Sequence, residues 1–285
     1  MKYAVFTVMV PEWDLEEAAR NLAQLGYDGV EWRVQRVPDE IPEGTPISYW
    51  GYNRATVDLK RVVELAPQVK QISEEAGLEI CSLTSYLQVA QAEEIERVMQ
   101  AAQIMGCPRM RVNVPRYDRT RDYNDLFTET TEHLREVEKL ARRHSIEANL
   151  EIHMGNIIPS AGLAHRLVSQ FDPKLIGVIY DPGNMVHEGY ENWRMGMELL
   201  GPYLHHVHAK NGAWERDETL EDGTVIWRCD HTPVREGVAN WHEIMSDLKA
   251  VGYDGWLSFE DFSSEEPTWD KCRGNLAYLR AVEED

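Results

Sequence analysis

Four short stretches of this 285-residue chain finish in side chains that bind metal ions or move protons. They read Asn149-Leu150-Glu151-Ile152-His153, Ile179-Tyr180-Asp181, His206-Val207-His208-Ala209-Lys210 and Ser258-Phe259-Glu260-Asp261. Each closes a run of strand length, so the carboxylates and imidazoles stand at strand ends. If Glu151, Asp181 and Glu260 converge, their mutual repulsion forces protonation unless a cation sits among them. One divalent metal ion resolves that conflict, with an imidazole from His206 or His208 completing the set. Oxygen-rich ligation with a single imidazole suits Mn²⁺ best, with Mg²⁺, Co²⁺ and Zn²⁺ as the alternatives.

For those residues to meet, their strands must lie side by side, and the hydrophobic pattern supplies such strands. Apolar runs with a period of two are expected to form strands at about 2–8, 29–34, 78–84, 109–114, 146–152, 175–180, 204–209 and 256–260. Helical spacing alternates with them at about 14–26, 57–76, 91–105, 124–144, 162–169, 193–200, 241–251 and 268–282. Eight strands, each followed by a helix and with no low-complexity linker, predict an α/β fold, a single (β/α)8 TIM barrel domain over residues 1–285. A doubly wound open sheet is the alternative, but no GxGxxG follows the first strand. In a barrel the chemistry sits at the carboxyl ends of the strands, so the long loops at about 37–54 and 211–240 are expected to border the site.

The charge balance narrows the partners. With 49 acidic against 29 basic residues the net charge is −20, a field that repels phosphate backbones and anionic membrane surfaces. No nucleic acid and no membrane is expected as partner, while a small substrate remains open because a metal or an arginine reverses the local field. The opening MKYAVFTVMV reads as a first strand rather than a signal segment, and no apolar run reaches membrane-spanning length, so a cytoplasmic location is expected. Cys81, Cys107, Cys229 and Cys272 are scattered without a CxxC pair and read as structural thiols.

The order of Glu on the fifth strand, Asp on the sixth, His-x-His on the seventh and Glu on the eighth resembles the xylose-isomerase-like barrel superfamily of sugar isomerases and epimerases. That group includes ketose 3-epimerases, hydroxypyruvate isomerases, inosose dehydratases and the endonuclease IV enzymes. The likeness is strongest in GYDGVEWR (Gly26 to Arg33), NLEIHMGN (Asn149 to Asn156), IYDPGNMVHEG (Ile179 to Gly189), HHVHAKN (His205 to Asn211) and WLSFEDF (Trp256 to Phe262). The resemblance implies that the second histidine, His208, is the ligand, so that Glu151, Asp181, His208 and Glu260 hold the ion. It also implies that Glu151 and Glu260 act as acid and base on either face of a carbon next to a carbonyl, through a metal-stabilised enediolate.

Lys210 resembles the residue that stabilises an oxyanion or a leaving hydroxyl, and His187 a histidine on the substrate side. His153, two residues beyond Glu151, would point to the same rim and donate to a substrate oxygen. Arg33, Asn113 and Asn184 end or follow strands and are candidate hydrogen-bond donors to substrate. Trp13, Trp50 and Trp214 lie in loops that would wall the pocket against a sugar ring. Relatives of this kind assemble as dimers or tetramers, so a homodimer or homotetramer is expected.

Departures from the family's patterns sharpen the expectation. Ketose 3-epimerases place a further Glu six residues after the fifth-strand ligand, where this chain has Ile157. The three-metal endonuclease pattern needs histidines where Arg33 and Ser82 to Ser85 stand, and an Asp-x-His pair where Cys229-Asp230-His231 keeps only the His. His231 is therefore expected at the substrate, not on a further ion. After the eighth strand the acidic Phe262-Ser263-Ser264-Glu265-Glu266 offers no phosphate cradle, which favours a non-phosphorylated sugar or cyclitol. The expected activity is a divalent-metal-dependent isomerase or epimerase of a small keto- or aldo-sugar or polyol. The alternative is an inosose-dehydratase-like or keto-glycoside lyase on the same site, and an endonuclease IV-like phosphodiesterase ranks last.

Overall fold

Asp14 opens the first helix by a reciprocal cap: its carboxylate accepts from the Glu17 amide at 2.8 Å and the Glu17 carboxylate from the Asp14 amide at 2.9 Å. The helix α1, Leu15–Leu25, buries Ala18, Ala19 and Leu22 and stops at Gly26, whose φ of 92° only glycine adopts without strain. The same unit of strand, capped helix and turn recurs along the chain in a computed structural model that describes residues 1–264 and 266–285. Glu265, within the acidic stretch read above, lies outside the described residues.

Eight parallel strands, β1 Lys2–Phe6, β2 Gly29–Gln35, β3 Glu79–Gln88, β4 Arg109–Asn113, β5 Glu147–Glu151, β6 Ile176–Tyr180, β7 Leu204–Ala209 and β8 Trp256–Phe259, pair each with the next. β1 pairs with both β2 and β8, in the registers Ala4↔Gly29 and Lys2↔Trp256, so the sheet closes on itself. The fold is a single-domain (β/α)8 TIM barrel. The helices between the strands are α1, α2 Val62–Ala76, α3 Ala92–Met105, α4 Tyr123–His144, α5 Ala161–Val168, α6 Pro182–His187, α7 Trp193–Leu200 and α8 Trp241–Ala250, with α9 Thr268–Glu284 after β8. Among the described residues no helix is long and apolar enough to cross a membrane.

Strand periodicity divides the sheet into two unlike faces. Val5, Val30, Leu83, Met110, Leu150, Val207 and Leu257 join one apolar core with helix residues such as Leu22, Val69 and Leu248. Their immediate neighbours Glu31, Thr84, Arg111, Glu151, His208 and Ser258 are polar and equally buried. Burying each large apolar side chain contributes roughly 1.5–3 kcal/mol, which holds strands to helices. The polar face lines the barrel axis, and every charge on it must find a partner there.

Three segments differ from the expectation. The long loop at 211–240 is largely an antiparallel hairpin, Asn211–Thr219 against Val225–Thr232, turning through Gly223 at φ 88°. Val57 belongs to a short extra strand, Thr56–Asp58, on the edge of β2, and the helix there starts at Val62. A helix absent from the expectation, α6, starts directly after Asp181 because that residue caps it and Pro182 occupies its first position.

Candidate metal centre

Glu151 ends β5 and pairs in register with Ile179, two residues before Asp181; Ser258, two residues before Glu260, pairs with His208. The closed barrel therefore brings four strand ends to one point. One donor atom from each of Glu151, Asp181, His208 and Glu260 lies within 4.8 Å of all the others, and all four residues are buried. Four donors at bond lengths of about 2.0–2.3 Å around one ion would be separated by at most about 4.6 Å, and the carboxylate oxygens of Glu151, Asp181 and Glu260 stand 3.1, 3.8 and 3.9 Å from His208 Nδ1. The donor set thus fits a single divalent ion: three hard carboxylates and one imidazole.

His208 Nδ1 lies 3.1 Å from Glu151 Oε1, 3.8 Å from Asp181 Oδ2 and 3.9 Å from Glu260 Oε2. Arg111 Nη1 donates to Glu151 Oε2 at 2.5 Å, and Lys210 Nζ to Glu260 Oε2 at 2.5 Å. Asn184 Nδ2 donates to Asp181 Oδ2 at 2.7 Å and reaches Glu151 Oε1 at 3.2 Å, while the Asn184 amide donates to Asp181 Oδ1 at 2.8 Å. Each carboxylate is therefore aimed by a neighbour before any ligand arrives.

The electrostatics show a cluster short of positive charge. Burial, together with the charges of Glu151 and Glu260 and against the pull of Lys210, pushes Asp181 up to about 7. Burial would raise Glu151 too, but Arg111 and His208 outweigh it and hold this carboxyl well below the usual range. His208 is held well above the ordinary imidazole value despite burial, because Glu31 and Glu151 flank it. The charges of Glu260 and Asp181 likewise raise Lys210 against the effect of burial. A divalent ion held there would supply the positive charge that Asp181 lacks.

Above the cluster opens a cavity of about 410 Å³, bordered by Glu151, Glu260, Lys210, His153, Asn113 and His231, with Trp50, Tyr86 and Phe262 among its aromatic walls. His153 is lowered from the ordinary imidazole value by burial, and its Nδ1 lies 2.7 Å from the Met154 carbonyl oxygen. Burial and the neighbouring Lys210 lower His231 to about 3, so it stands neutral at the rim. Lys210 sits 4.9 Å from the centre of the Phe262 ring, which also packs on Trp50 at 4.7 Å.

The remaining candidates lie elsewhere. Among the described residues bordering that cavity, Trp13, Arg33, Asn184, His187 and Trp214 are not found. Trp13 packs edge-on against Trp269, with ring centres 6.4 Å apart. Arg33 lies beneath the 37–54 segment, donating to Thr56 Oγ1 at 2.5 Å and the Trp50 carbonyl at 3.3 Å, and borders a separate cavity of about 310 Å³. Asn184 is wholly buried behind the carboxylates it holds. His187 packs behind His231 with ring centres 5.0 Å apart, and Trp214 donates to the Val186 carbonyl at 2.8 Å, tying the hairpin to α6.

The sequence alone singles out neither Glu31 nor Arg111, and it offers His206 only as the alternative ligand to His208. Glu31 Oε2 lies 3.1 Å from His206 Nε2, and Glu31 Oε1 lies 3.2 Å from His208 Nε2 and accepts a short bond from Thr84 Oγ1. Burial pushes Glu31 up, but the two imidazoles outweigh it and keep its carboxyl well below the usual range. Charged side chains alternating with large apolar ones in a buried strand, as in Val30-Glu31-Trp32-Arg33, are the signal the sequence carries.

By sequence the chain is similar to an inosose dehydratase of Geobacillus thermodenitrificans (strain NG80-2), 28% identical over 116 residues. That match covers 38% of this chain and 38% of the relative, so the chain aligns with well under half of that protein's length. In structure it is similar to the 3-keto-D-glucoside 4-epimerase YcjR from E. coli, with a TM-score of 0.72, 19% identity and 99% of both chains covered. It is similar also to the IolI protein with a bound zinc atom, with a TM-score of 0.73, 15% identity and coverage of 100% of this chain and 98% of the other. At such identities the structural likeness bears on the fold alone. The family described as the xylose isomerase-like TIM barrel matches residues 19–282, and the chain belongs to it.

Proposed function

We propose that the protein is a divalent-metal-dependent isomerase or epimerase of a small, non-phosphorylated keto- or aldo-sugar or polyol, working by proton abstraction next to a carbonyl. The observation that carries this reading is the pair Glu151 and Glu260, which share one donor cluster and border the same cavity, each with one oxygen fixed by a buried cation. Glu151, Asp181, His208 and Glu260 would hold the ion, with Mn²⁺ first and Mg²⁺, Co²⁺ or Zn²⁺ as alternatives. When bound, the ion supplies Lewis acidity that stabilises negative charge developing on a substrate oxygen.

The residues then divide the work. One carboxylate takes the proton from carbon and the other returns one, and their fixed positions decide the face on which it arrives. Lys210 Nζ, which donates to Glu260 Oε2, fixes the position of that carboxylate and offers a proton to substrate oxygen. His153, Asn113 and neutral His231 offer hydrogen bonds to hydroxyl groups, and Trp50 and Phe262 shield the reacting carbon from water.

A second reading is a lyase of the inosose-dehydratase or keto-glycoside type. It is favoured by the same Lys210, a buried proton donor next to a base, and by the name of the 28%-identical relative. The distinguishing experiment incubates the protein with keto-sugars and inososes in D₂O with Mn²⁺, chelates the ion and records NMR spectra. Solvent deuterium in an otherwise intact or epimerised sugar supports the isomerase. An unsaturated or deoxy product supports the lyase, and absence of both across the panel refutes the pair.

A further inference from the structure

We infer that Glu31 is a positioning residue for the metal centre: it fixes His208 as an Nδ1 ligand and sets the affinity of the site for its ion. The inference rests on the metal-centre reading above and concerns a side chain that borders no substrate cavity.

The geometry is directional. His208 Nδ1 faces Glu151, Asp181 and Glu260, whereas Nε2, on the other side of the ring, lies 3.2 Å from Glu31 Oε1. A neutral imidazole carries one lone pair and one N–H, and a ligating nitrogen must present the lone pair. Nε2 then keeps the hydrogen, which needs an acceptor on the side away from the ion. Glu31 is that acceptor, wholly buried on β2 across the barrel from β7. The ring lies nearly parallel to that of Phe6, with centres 6.0 Å apart and planes 18° apart.

Glu31 is in turn held by groups that touch no other carboxylate of the site. Thr84 Oγ1 donates to Oε1, and His206 Nε2 lies 3.1 Å from Oε2. His206 Nδ1 has no hydrogen-bond partner among the described residues, so the orientation of that ring serves the bond to Glu31. A glutamine of the same shape would turn an amide N–H₂ toward one of the two imidazoles, opposing donor to donor. A carboxylate accepts from both and places its charge behind the ligand, which strengthens the imidazole as a donor to the ion.

The test uses the full chain as wild type, Glu31→Gln and His206→Gln, with Zn²⁺ as a diamagnetic probe competed against a chelator, and ¹⁵N NMR of the histidine rings. The wild type is expected to bind Zn²⁺ through His208 Nδ1 with a retained Nε2–H. Glu31→Gln is expected to lose about 10–100-fold in affinity, and His206→Gln, which keeps the Glu31 carboxylate, less than Glu31→Gln. Ligation of wild-type His208 through Nε2 overturns the inference, even if neither variant folds. So does a Glu31→Gln affinity within about twofold of wild type, in which case the metal centre itself stands. If the wild type takes up no Zn²⁺ at His208, the metal-centre reading falls and this inference with it.

Discussion

Arg111 offers the most direct test of the electrostatic picture. Its guanidinium donates to Glu151 Oε2 at 2.5 Å with side-chain exposures of 4% and 2%, and lies 4.7 Å from the Tyr86 ring centre and 5.6 Å from that of Phe6. Arg111→Met keeps much of the apolar length and deletes the charge. The lost cation–π contacts, about 0.5–2 kcal/mol each, are offset in part by sulfur–aromatic contacts of about 0.3–1.5 kcal/mol. The dominant cost is the stranded carboxylate, about 3–5 kcal/mol for breaking a buried pair from one side. At roughly 2–4 °C per kcal/mol for a chain of this size class, the metal-free variant should melt about 6–20 °C lower.

The same substitution removes a positive charge from beside the proposed ion, so the variant should bind Mn²⁺ more tightly. A tenfold gain in affinity would narrow the stability gap at saturating ion by about 1.4 kcal/mol. Thermal melts of both proteins, with chelator and with excess Mn²⁺, measure the two effects together. A metal-free loss below about 1 kcal/mol, or a gap unchanged by the ion, would show that Arg111 does not balance Glu151 in the way described.

Glu151→Gln and Glu260→Gln should each lower turnover by about 10²–10⁴-fold on any substrate the D₂O screen identifies, while His208→Ala should reduce bound metal in elemental analysis. Either glutamine variant retaining wild-type kcat would remove that residue from the acid–base pair. At the opposite end of the barrel, burial would raise Glu147, but the hydrogen bond to His205 and the charge of Arg109 outweigh it and lower its carboxyl. A depressed folded value means that its stabilisation is present above the unfolded carboxylate range, near pH 4.3, and disappears as pH falls through the lower folded value. Glu147→Gln should therefore cost stability at pH 7 and lose less than wild type on acidification, compared by melts at neutral and acid pH; parallel acid limbs would refute the assignment.

Much of the barrel is legible in local pattern because each strand and helix announces itself within a dozen residues. The period-two runs ending in Glu151, Asp181, His208 and Glu260 also reveal the donor cluster, since barrel topology alone converges adjacent strand ends. Glu31 escaped because its meaning depends on His206 and His208, 175 and 177 positions away, and no local pattern carries that pairing. The hairpin was readable in principle: Asp222-Gly223 between runs containing Trp214 and Ile226-Trp227 is a turn signal. Asp181-Pro182 was likewise a cap followed by a first-turn proline, hidden by its role as a candidate ligand. Trp13 shows what loop position leaves open, since an aromatic residue near the strand ends packs against another tryptophan as readily as against a sugar.

Glu31 gives the barrel a timetable. During synthesis at roughly 5–20 residues per second, the 177 positions between it and His208 take about 10–35 seconds to appear. Through that interval the carboxylate has neither of the imidazoles that flank it in the folded barrel. Both imidazoles come with β7, and only β8, which leads to Glu260 and pairs with both β7 and β1, closes the ring. The earliest of the residues around the proposed ion is thus completed only by the last two strands of the barrel.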